Sequence, residues 1–313
     1  MTYVASKSPI RRISHSEPEL PFEPSGVQNA ALTAAARWLH RRGWLWRANF
    51  GVAGTLGGRP LRVPFRFGSG WEHLRMREVW LFDALQRVML ERSGAVIDVG
   101  VNVGHTLIKV KTADPQRDYV GFEPNPQCMQ YTQHLIRVNG YARCTLVPVA
   151  ISNRTGLLKL LQNFDVDPSA TIVEGFREPD RYEQATIVPA FGGDEALEDL
   201  GVREIAAIKI DVEGGEFDVL QGLERTIRRT SPCVFCEVLP VFDEHTDTGR
   251  FRLRRQTALR DWLGDHGYTI FRCDSDATMQ ELDDFGVHAD MTLANYVFVP
   301  GAELNTFRRQ FAA

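Results

Sequence analysis

Short apolar runs recur through the second two thirds of the chain and alternate with stretches of helical period. Residues 95–100 (AVIDVG), 118–124 (DYVGFEP), 145–151 (TLVPVAI), 205–211 (IAAIKID) and 233–239 (CVFCEVL) read as strands covered on both faces. Between them, 104–110, 126–138 and 215–229 read as helices, the second closed by the stop signal Asn139–Gly140. A helix over 252–265 and strands over 268–273 and 295–300 complete the pattern. Strands alternating with helices predict a mostly parallel sheet with helices on both faces. The last two strands are joined by a polar stretch without helical period, which predicts a closing antiparallel pair. The stretch 152–204 exceeds an ordinary connection; 157–161 and 186–189 within it look like short extra strands, and such insertions often carry substrate contacts.

The first part of the chain is patterned differently. Residues 1–26 mix Ser, Pro, Glu and Arg without period and predict a loose tail. Residues 27–46 place Leu32, Ala36, Leu39 and Trp46 at helical spacing. A glycine-rich link over 51–58 follows, then a strand over 61–67 that Pro64 assigns to a sheet edge. Residues 71–90 read as one long helix with Leu74, Val79, Leu81, Leu85 and Val88 on its apolar side. Trp71, His73 and Trp80 fit the packed face of that helix better than a stacking platform for sugars. The predicted organisation is a tail over 1–26, a helical extension over 27–90 and an α/β domain over 91–303.

Composition narrows the function. A chain of 313 residues with 43% hydrophobic and 24% charged residues is an ordinary globular protein with its own core. The net charge of −4 offers no basic excess for nucleic acid as the main partner. The first residues lack the apolar core of a signal peptide and no run of about 18 apolar residues occurs, so no membrane partner and a cytoplasmic location are expected. Cys233 and Cys236 form a lone CxxC inside an apolar strand without a second ligand pair, which predicts buried thiols rather than zinc.

In open α/β sheets ligands bind beyond the carboxyl ends of the strands. There the chain places D-V-G-V-N-V-G-H (98–105), Glu123, the Ala150–Ile151 pair, D-V-E-G-G-E (211–216) and Glu237. Gly100 and Gly104 permit a tight turn into a helix, and an acid 23 positions after Gly100 can accept ribose hydroxyls, so a nucleoside is expected. Asn102 stands where the dinucleotide loop G-x-G-x-x-G has its second glycine. Asp98 and Asp211 end neighbouring strands and would repel a pyrophosphate. They favour a ligand with an ammonium and a sulfonium group, which S-adenosylmethionine (SAM) carries. Lys209, Asp211 and Glu213 alternate along one strand and share a face, and a buried lysine is costly unless paired, so Lys209 is expected to pair with one of these acids or with Asp98.

Five segments in series strengthen this reading: VIDVGVNVGHT (96–106), YVGFEPNP (119–126), VPVAIS (147–152), IKIDVEGGEFDVLQGL (208–223) and PCVFCEVLP (232–240). Together they resemble the FkbM family of SAM-dependent methyltransferases. The resemblance implies a Rossmann-like class I methyltransferase fold, with a mostly parallel seven-stranded sheet whose last strand is antiparallel. It also implies methyl transfer to a hydroxyl of a small-molecule or glycan acceptor, such as a sugar or secondary metabolite. On this reading Asp98, Gly100, Asn102 and Gly104 hold the methionine part of SAM. Glu123 holds the ribose, Asn125 borders the adenine, and Ala150 and Ile151 flank its plane.

Attack by a hydroxyl requires a proton acceptor. Glu213 and Glu237 are the favoured candidates, with Asp211, His105 and His245 behind them and Lys209 as a charge partner. Glu216, opening a helix, suits capping. The loop 241–249 is expected to border the acceptor. No metal is called for by the resemblance, although several acids converge. The N-terminal helix suggests a homodimer contact by fold analogy. Two competing readings are an NAD-type oxidoreductase and a SAM-binding protein without catalysis.

Overall fold

The computed structural model describes residues 18–178, 181–273 and 278–311. At its centre lies an eight-stranded sheet in the order Met279–Leu282, Tyr268–Cys273, Asn295–Pro300, Cys233–Glu237, Ile205–Ile210, Ala95–Val99, Tyr119–Phe122, Cys144–Val147. The five strands from Cys233–Glu237 to Cys144–Val147 run parallel, and Asn295–Pro300 is antiparallel to both of its neighbours. The expected α/β sheet is therefore present, with Met279–Leu282 added as an eighth strand at one edge. Strand order reverses between Ala95–Val99 and Ile205–Ile210, the place where such sheets open a crevice.

Alternation along the strands separates two cores. Ile97, Val99, Ile208, Ile210 and Phe298 face one layer with Leu220 and Leu263. Val96, Ala207, Phe235 and Val297 face the other with Leu85 and Leu107. Asp98 and Lys209 take the same parity as Val96 and Ala207, and they are direct register partners on adjacent strands. The five cysteines are unpaired, and Cys233 and Cys236 are buried, as the apolar context predicted.

Several elements depart from the sequence pattern. The expected strand 145–151 is cut by Pro148, which has no N–H for the ladder. Cys144–Val147 stays in the central sheet, while Ala150–Ser152 turns away and pairs parallel with Gln184–Gly192 of the insertion. Gln184–Gly192 also pairs antiparallel with Gly156–Gln162, so the expected short strands are longer and form a separate three-stranded sheet. The expected helix 215–229 is two helices, Glu216–Gly222 and Glu224–Thr230.

The N-terminal segment is mixed rather than helical. Helix Gly26–Arg41 is followed by the hairpin Phe50–Leu56 and Arg59–Phe65, which absorbs the supposed glycine link as a strand. Pro64 does lie on an edge strand, as expected. The expected helix 71–90 begins only at Val79; a 3-10 turn, Trp71–Leu74, and the short pair of Arg75–Met76 with Leu20–Pro21 precede it. Residues 1–17 of the expected tail lie outside the described residues, while Leu20–Pro21 and Glu23–Pro24 pair as short strands. Phe22, Ala36, Val63, Phe65 and Leu85 join the core of the sheet, so this segment covers one of its faces.

Candidate active site

The strand Ala95–Val99 ends at Gly100, whose φ is 86°. A Cβ there would stand 1.9 Å from the carbonyl oxygen of Asp211, so only glycine lets the two loops pass. Asn102, in place of the dinucleotide glycine, takes the left-handed conformation itself, with φ 49°. That conformation turns its backbone N–H onto Glu123, whose Oε2 accepts it at 2.7 Å while Oε1 accepts from the N–H of Asn125 at 2.7 Å. Glu123 is thus fixed by two backbone donors at the tip of Tyr119–Phe122. Burial pushes its carboxyl up to about 7, against the pull of those donors.

Asn125 caps helix Pro126–Asn139, accepting from the N–H groups of Gln127 and Cys128. Its side-chain amide donates to Gln162 Oε1 and Asp165 O, which ties the insertion to this corner.

The buried lysine is paired as its cost demands. Lys209 Nζ lies 3.5 Å from Asp98 Oδ1 and 3.3 Å from Asp211 Oδ2, and it donates to Gly100 O at 3.1 Å. Asp98 also accepts from the Tyr119 hydroxyl and has no exposure to solvent. Burial lifts the Asp98 carboxyl, while Lys209 and Tyr119 pull it down.

Asp211, Glu213 and Glu237 each bring a carboxylate oxygen within 4.8 Å of the other two. Asp211 and Glu237 lie close enough that one proton between them is favoured. Burial and the Asp211 charge raise Glu237 to about 11, so it carries that proton. Asp211 is held low despite its burial, chiefly by Lys209. Glu213, at φ 55°, leans on the Arg177 guanidinium, and burial and Asp211 lift it to about 7. Glu216 folds back to accept the Gly214 N–H at 2.8 Å, which braces the loop ahead of its helix; the helix itself has no side-chain cap, so the expected capping role is not the one Glu216 plays.

These groups enclose a cavity of about 500 Å³ at the carboxyl ends of the strands, within the range of small-molecule sites. Of the residues expected in the site, Gly100, Asn102, Glu123, Asn125, Ala150, Ile151, Lys209, Asp211, Glu213 and Glu237 line it, as does His105. Two do not. Asp98 lies behind the wall on Lys209, and Gly104 lies under Thr132 and Leu135, so both shape the loop without facing the cavity.

The loop 241–249 is also absent from the walls. Val241 bridges Val287, and Thr246 caps helix Asp247–Asp265 by accepting the Gly249 N–H, which makes His245 part of a helix entry. The insertion takes the loop's place with Asp167, Pro168, Ala170 and Ile172.

Sequence reasoning missed the contribution of the N-terminal segment. Glu72, Arg77 and Glu78 line the cavity, and Glu78 meets Lys109 at 2.7 Å. Lys109 had a signal, because it lies one helical turn after His105 on the same face. Glu78 had none, since its position follows from the turn before helix Val79–Glu91. His73 and Trp80 are core residues, as expected, and the His73 ring lies tilted against that of His105 at 4.8 Å between centroids. Burial holds both imidazoles below their ordinary value, His73 to about 4, so both are neutral. The cavity walls carry seven acidic residues against three Lys or Arg.

A family model described as "Methyltransferase FkbM domain" matches residues 98–270, just over half of the 313 residues. The chain belongs to the FkbM methyltransferase family. The matched region of this FkbM chain starts at Asp98 and contains every strand end of the cavity. Among curated relatives, the hexuronic acid methyltransferase AglP of Haloferax volcanii is 27% identical over 164 residues, covering 49% of this chain and 63% of that protein. Methyltransferase sdnD of Sordaria araneosa is 25% identical over 156 residues, covering 41% and 60%. The chain therefore spans less than two thirds of either relative. Among solved structures, the methyltransferase FkbM from Methylobacillus flagellatus superposes with a TM-score of 0.40 at 17% identity, covering 66% of this chain and 43% of that one. The SAH-bound Podospora anserina methyltransferase PaMTH1 gives 0.41 at 9% identity, covering 71% and 76%.

Proposed function

We propose that this FkbM protein uses SAM to methylate a hydroxyl oxygen on a sugar, glycan or secondary metabolite. The observation that carries the donor assignment is the charge of the cavity: fixed carboxylates at both ends, with Glu123 held between two backbone N–H groups. Such walls suit a ligand that bears an ammonium and a sulfonium and whose ribose hydroxyls can donate to Glu123. They disfavour a pyrophosphate. SAM supplies a methyl group on a positive sulfur. The acceptor oxygen gains the bond to that methyl as the bond to sulfur breaks, and the hydroxyl proton passes to the protein.

Lys209 and its carboxylate partners hold the two loops at a fixed separation, and alignment of donor and acceptor supplies much of such a rate enhancement. Of the two favoured acids, Glu213 suits the proton-accepting role. It titrates near 7, whereas Glu237 already holds a proton at neutral pH. Arg177 positions the Glu213 carboxylate. The hexuronic acid methyltransferase among the relatives favours a sugar as the acceptor class.

Calorimetry with SAM, S-adenosylhomocysteine and NADH tests the donor. Binding of the two adenosyl ligands and not of NADH is expected; NADH binding without either would overturn the proposal. Product formation from a panel of hydroxylated acceptors then separates an enzyme from a SAM-binding protein without catalysis.

A further inference from the structure

The 48 residues between Glu23 and Glu72 contain no Asp or Glu, while they carry seven arginines: Arg37, Arg41, Arg42, Arg47, Arg59, Arg62 and Arg66. In a chain of net charge −4 that is a strong segregation of charge. None of the seven forms an ion pair among the described residues, although ion pairs are common on the rest of the surface. Large aromatic rings lie exposed among them: Trp38 at 47%, Trp44 at 41%, Trp46 at 63% and Phe67 at 47%.

These groups form one continuous feature. Trp38 lies in the last turn of helix Gly26–Arg41 and meets Trp44 edge to face at 5.7 Å. Arg42 lies over Trp38 at 5.5 Å, and Arg47 lies over Trp44 at 5.6 Å and Trp46 at 4.7 Å. Arg66 Nε donates to Asn49 Oδ1 at 3.0 Å, which brings the Phe67 loop beside the Trp46 turn. Phe67 holds φ at 53°, a costly backbone for a bulky residue whose ring is exposed. Beside this apex an acid-free groove of about 530 Å³ runs between Arg62, Arg66 and His134. Burial, Arg66 and Arg137 hold the His134 imidazole below its ordinary value, consistent with a positive local field.

We infer that this arginine–tryptophan apex docks the protein on the surface of a membrane rich in anionic lipid. Unpaired arginines complement anionic headgroups, each contributing about fivefold in binding near such a surface. Exposed tryptophans seat in the same interfacial zone. The rings are poor platforms for stacking nucleic-acid bases, because guanidinium groups already lie over Trp38, Trp44 and Trp46. Docking of this kind needs no membrane-spanning segment. The absence of a long apolar helix among the described residues therefore does not bear on it, and the inference departs from the sequence expectation of no membrane partner. The apex also adjoins the cavity: His40 stacks on Trp71 at 4.3 Å, and the next residue, Glu72, lines the cavity wall. A bound membrane would thus lie on the side from which a lipid-borne acceptor could be presented.

Vesicle sedimentation of the full chain tests the inference. Vesicles of phosphatidylcholine alone are compared with vesicles carrying about one third phosphatidylglycerol, at low salt and at about 0.5 M NaCl, where exposed charges are screened. Binding to the anionic vesicles at least about tenfold stronger than to the neutral ones is expected, weakening with salt. Arg42→Glu/Arg47→Glu should lower it by at least about a hundredfold, because two attractive contacts become repulsive. Trp46→Ala should reduce the part that survives high salt. Circular dichroism and S-adenosylhomocysteine titration identify variants that have lost their fold, independently of vesicle binding. Absence of binding to the anionic vesicles overturns the inference. So does binding that Arg42→Glu/Arg47→Glu leaves unchanged. If single-stranded RNA binds through the same two arginines and the vesicles do not, the surface is a nucleic-acid site instead.

Discussion

Replacing Lys209 by Met removes the one cation between two carboxylates and keeps the volume of its stem. The structure allows the cost to be worked out. Nζ lies 3.5 Å from Asp98 and 3.3 Å from Asp211, and at an effective dielectric of about 20 each attraction is worth about 5 kcal/mol before desolvation. Removing one partner of a buried pair typically costs about 3–5 kcal/mol, because the remaining charge has no compensation. Asp98 has no access to water, while Asp211 is partly exposed, so most of the loss falls on Asp98.

Asp98 can limit the loss by binding a proton. Burial already raises its carboxyl, and without Lys209 the Tyr119 hydroxyl is the main group left to oppose that. A carboxyl whose folded pKa is raised contributes stability below its unfolded value and loses it as pH climbs through the folded value. The deficit of Lys209→Met should therefore be about 3 kcal/mol or more at pH 8 and smaller at pH 5. Urea unfolding followed by circular dichroism at both pH values measures it, and Asp98→Asn in the Lys209→Met background should recover at least half. A loss below about 1 kcal/mol, or a deficit that does not change with pH, would refute the claim that Lys209 holds the crevice together by charge.

Four further outcomes follow from the site. Glu213→Gln should lower the methylation rate by about 10²–10⁴ and abolish the rise in activity as pH passes about 7. Glu237→Gln, which imitates the protonated form already present, should cost less than about tenfold; equal losses in kinetic assays would reverse the assignment. Ribose hydroxyls donate to the charged form of Glu123, so S-adenosylhomocysteine should bind about tenfold more tightly at pH 8 than at pH 6 by calorimetry, and Glu123→Gln should flatten that slope. Gly100→Ala places a Cβ 1.9 Å from Asp211 O at a positive φ. A fall in melting temperature of about 6 °C or more is expected, with loss of adenosyl-ligand binding; an unchanged melting temperature would mean that the two loops do not meet as described.

The corner of the cavity around Gly100 and Glu123 was legible in the sequence because it is local. Gly100, Asn102, Glu123 and Asp211 follow directly on apolar strands whose ends must gather at one edge of a parallel sheet. Period-two alternation likewise puts Lys209 and Asp211 on one face, where they pair. The failures were also local. Pro148 interrupts an apolar run that looks continuous, and the expected long helix before the sheet did not show its break at Glu78, a non-glycine residue at φ 50°.

The apolar pattern, the glycines and the strand-end acids by themselves determined the mostly parallel sheet and the gathering of acids at its carboxyl edge. Each follows from backbone period and from the cost of burying charge, which short segments already carry. Tertiary structure alone decided which groups complete the walls and how their protons are shared. Glu78 reaches Lys109 and Arg177 reaches Glu213 across gaps of 31 and 36 residues. Asp211 and Glu237 bear on each other's protons only because adjacent strand ends bring them together. Burial and proximity between distant segments set those pKa values, and neither is written in the local order of residues.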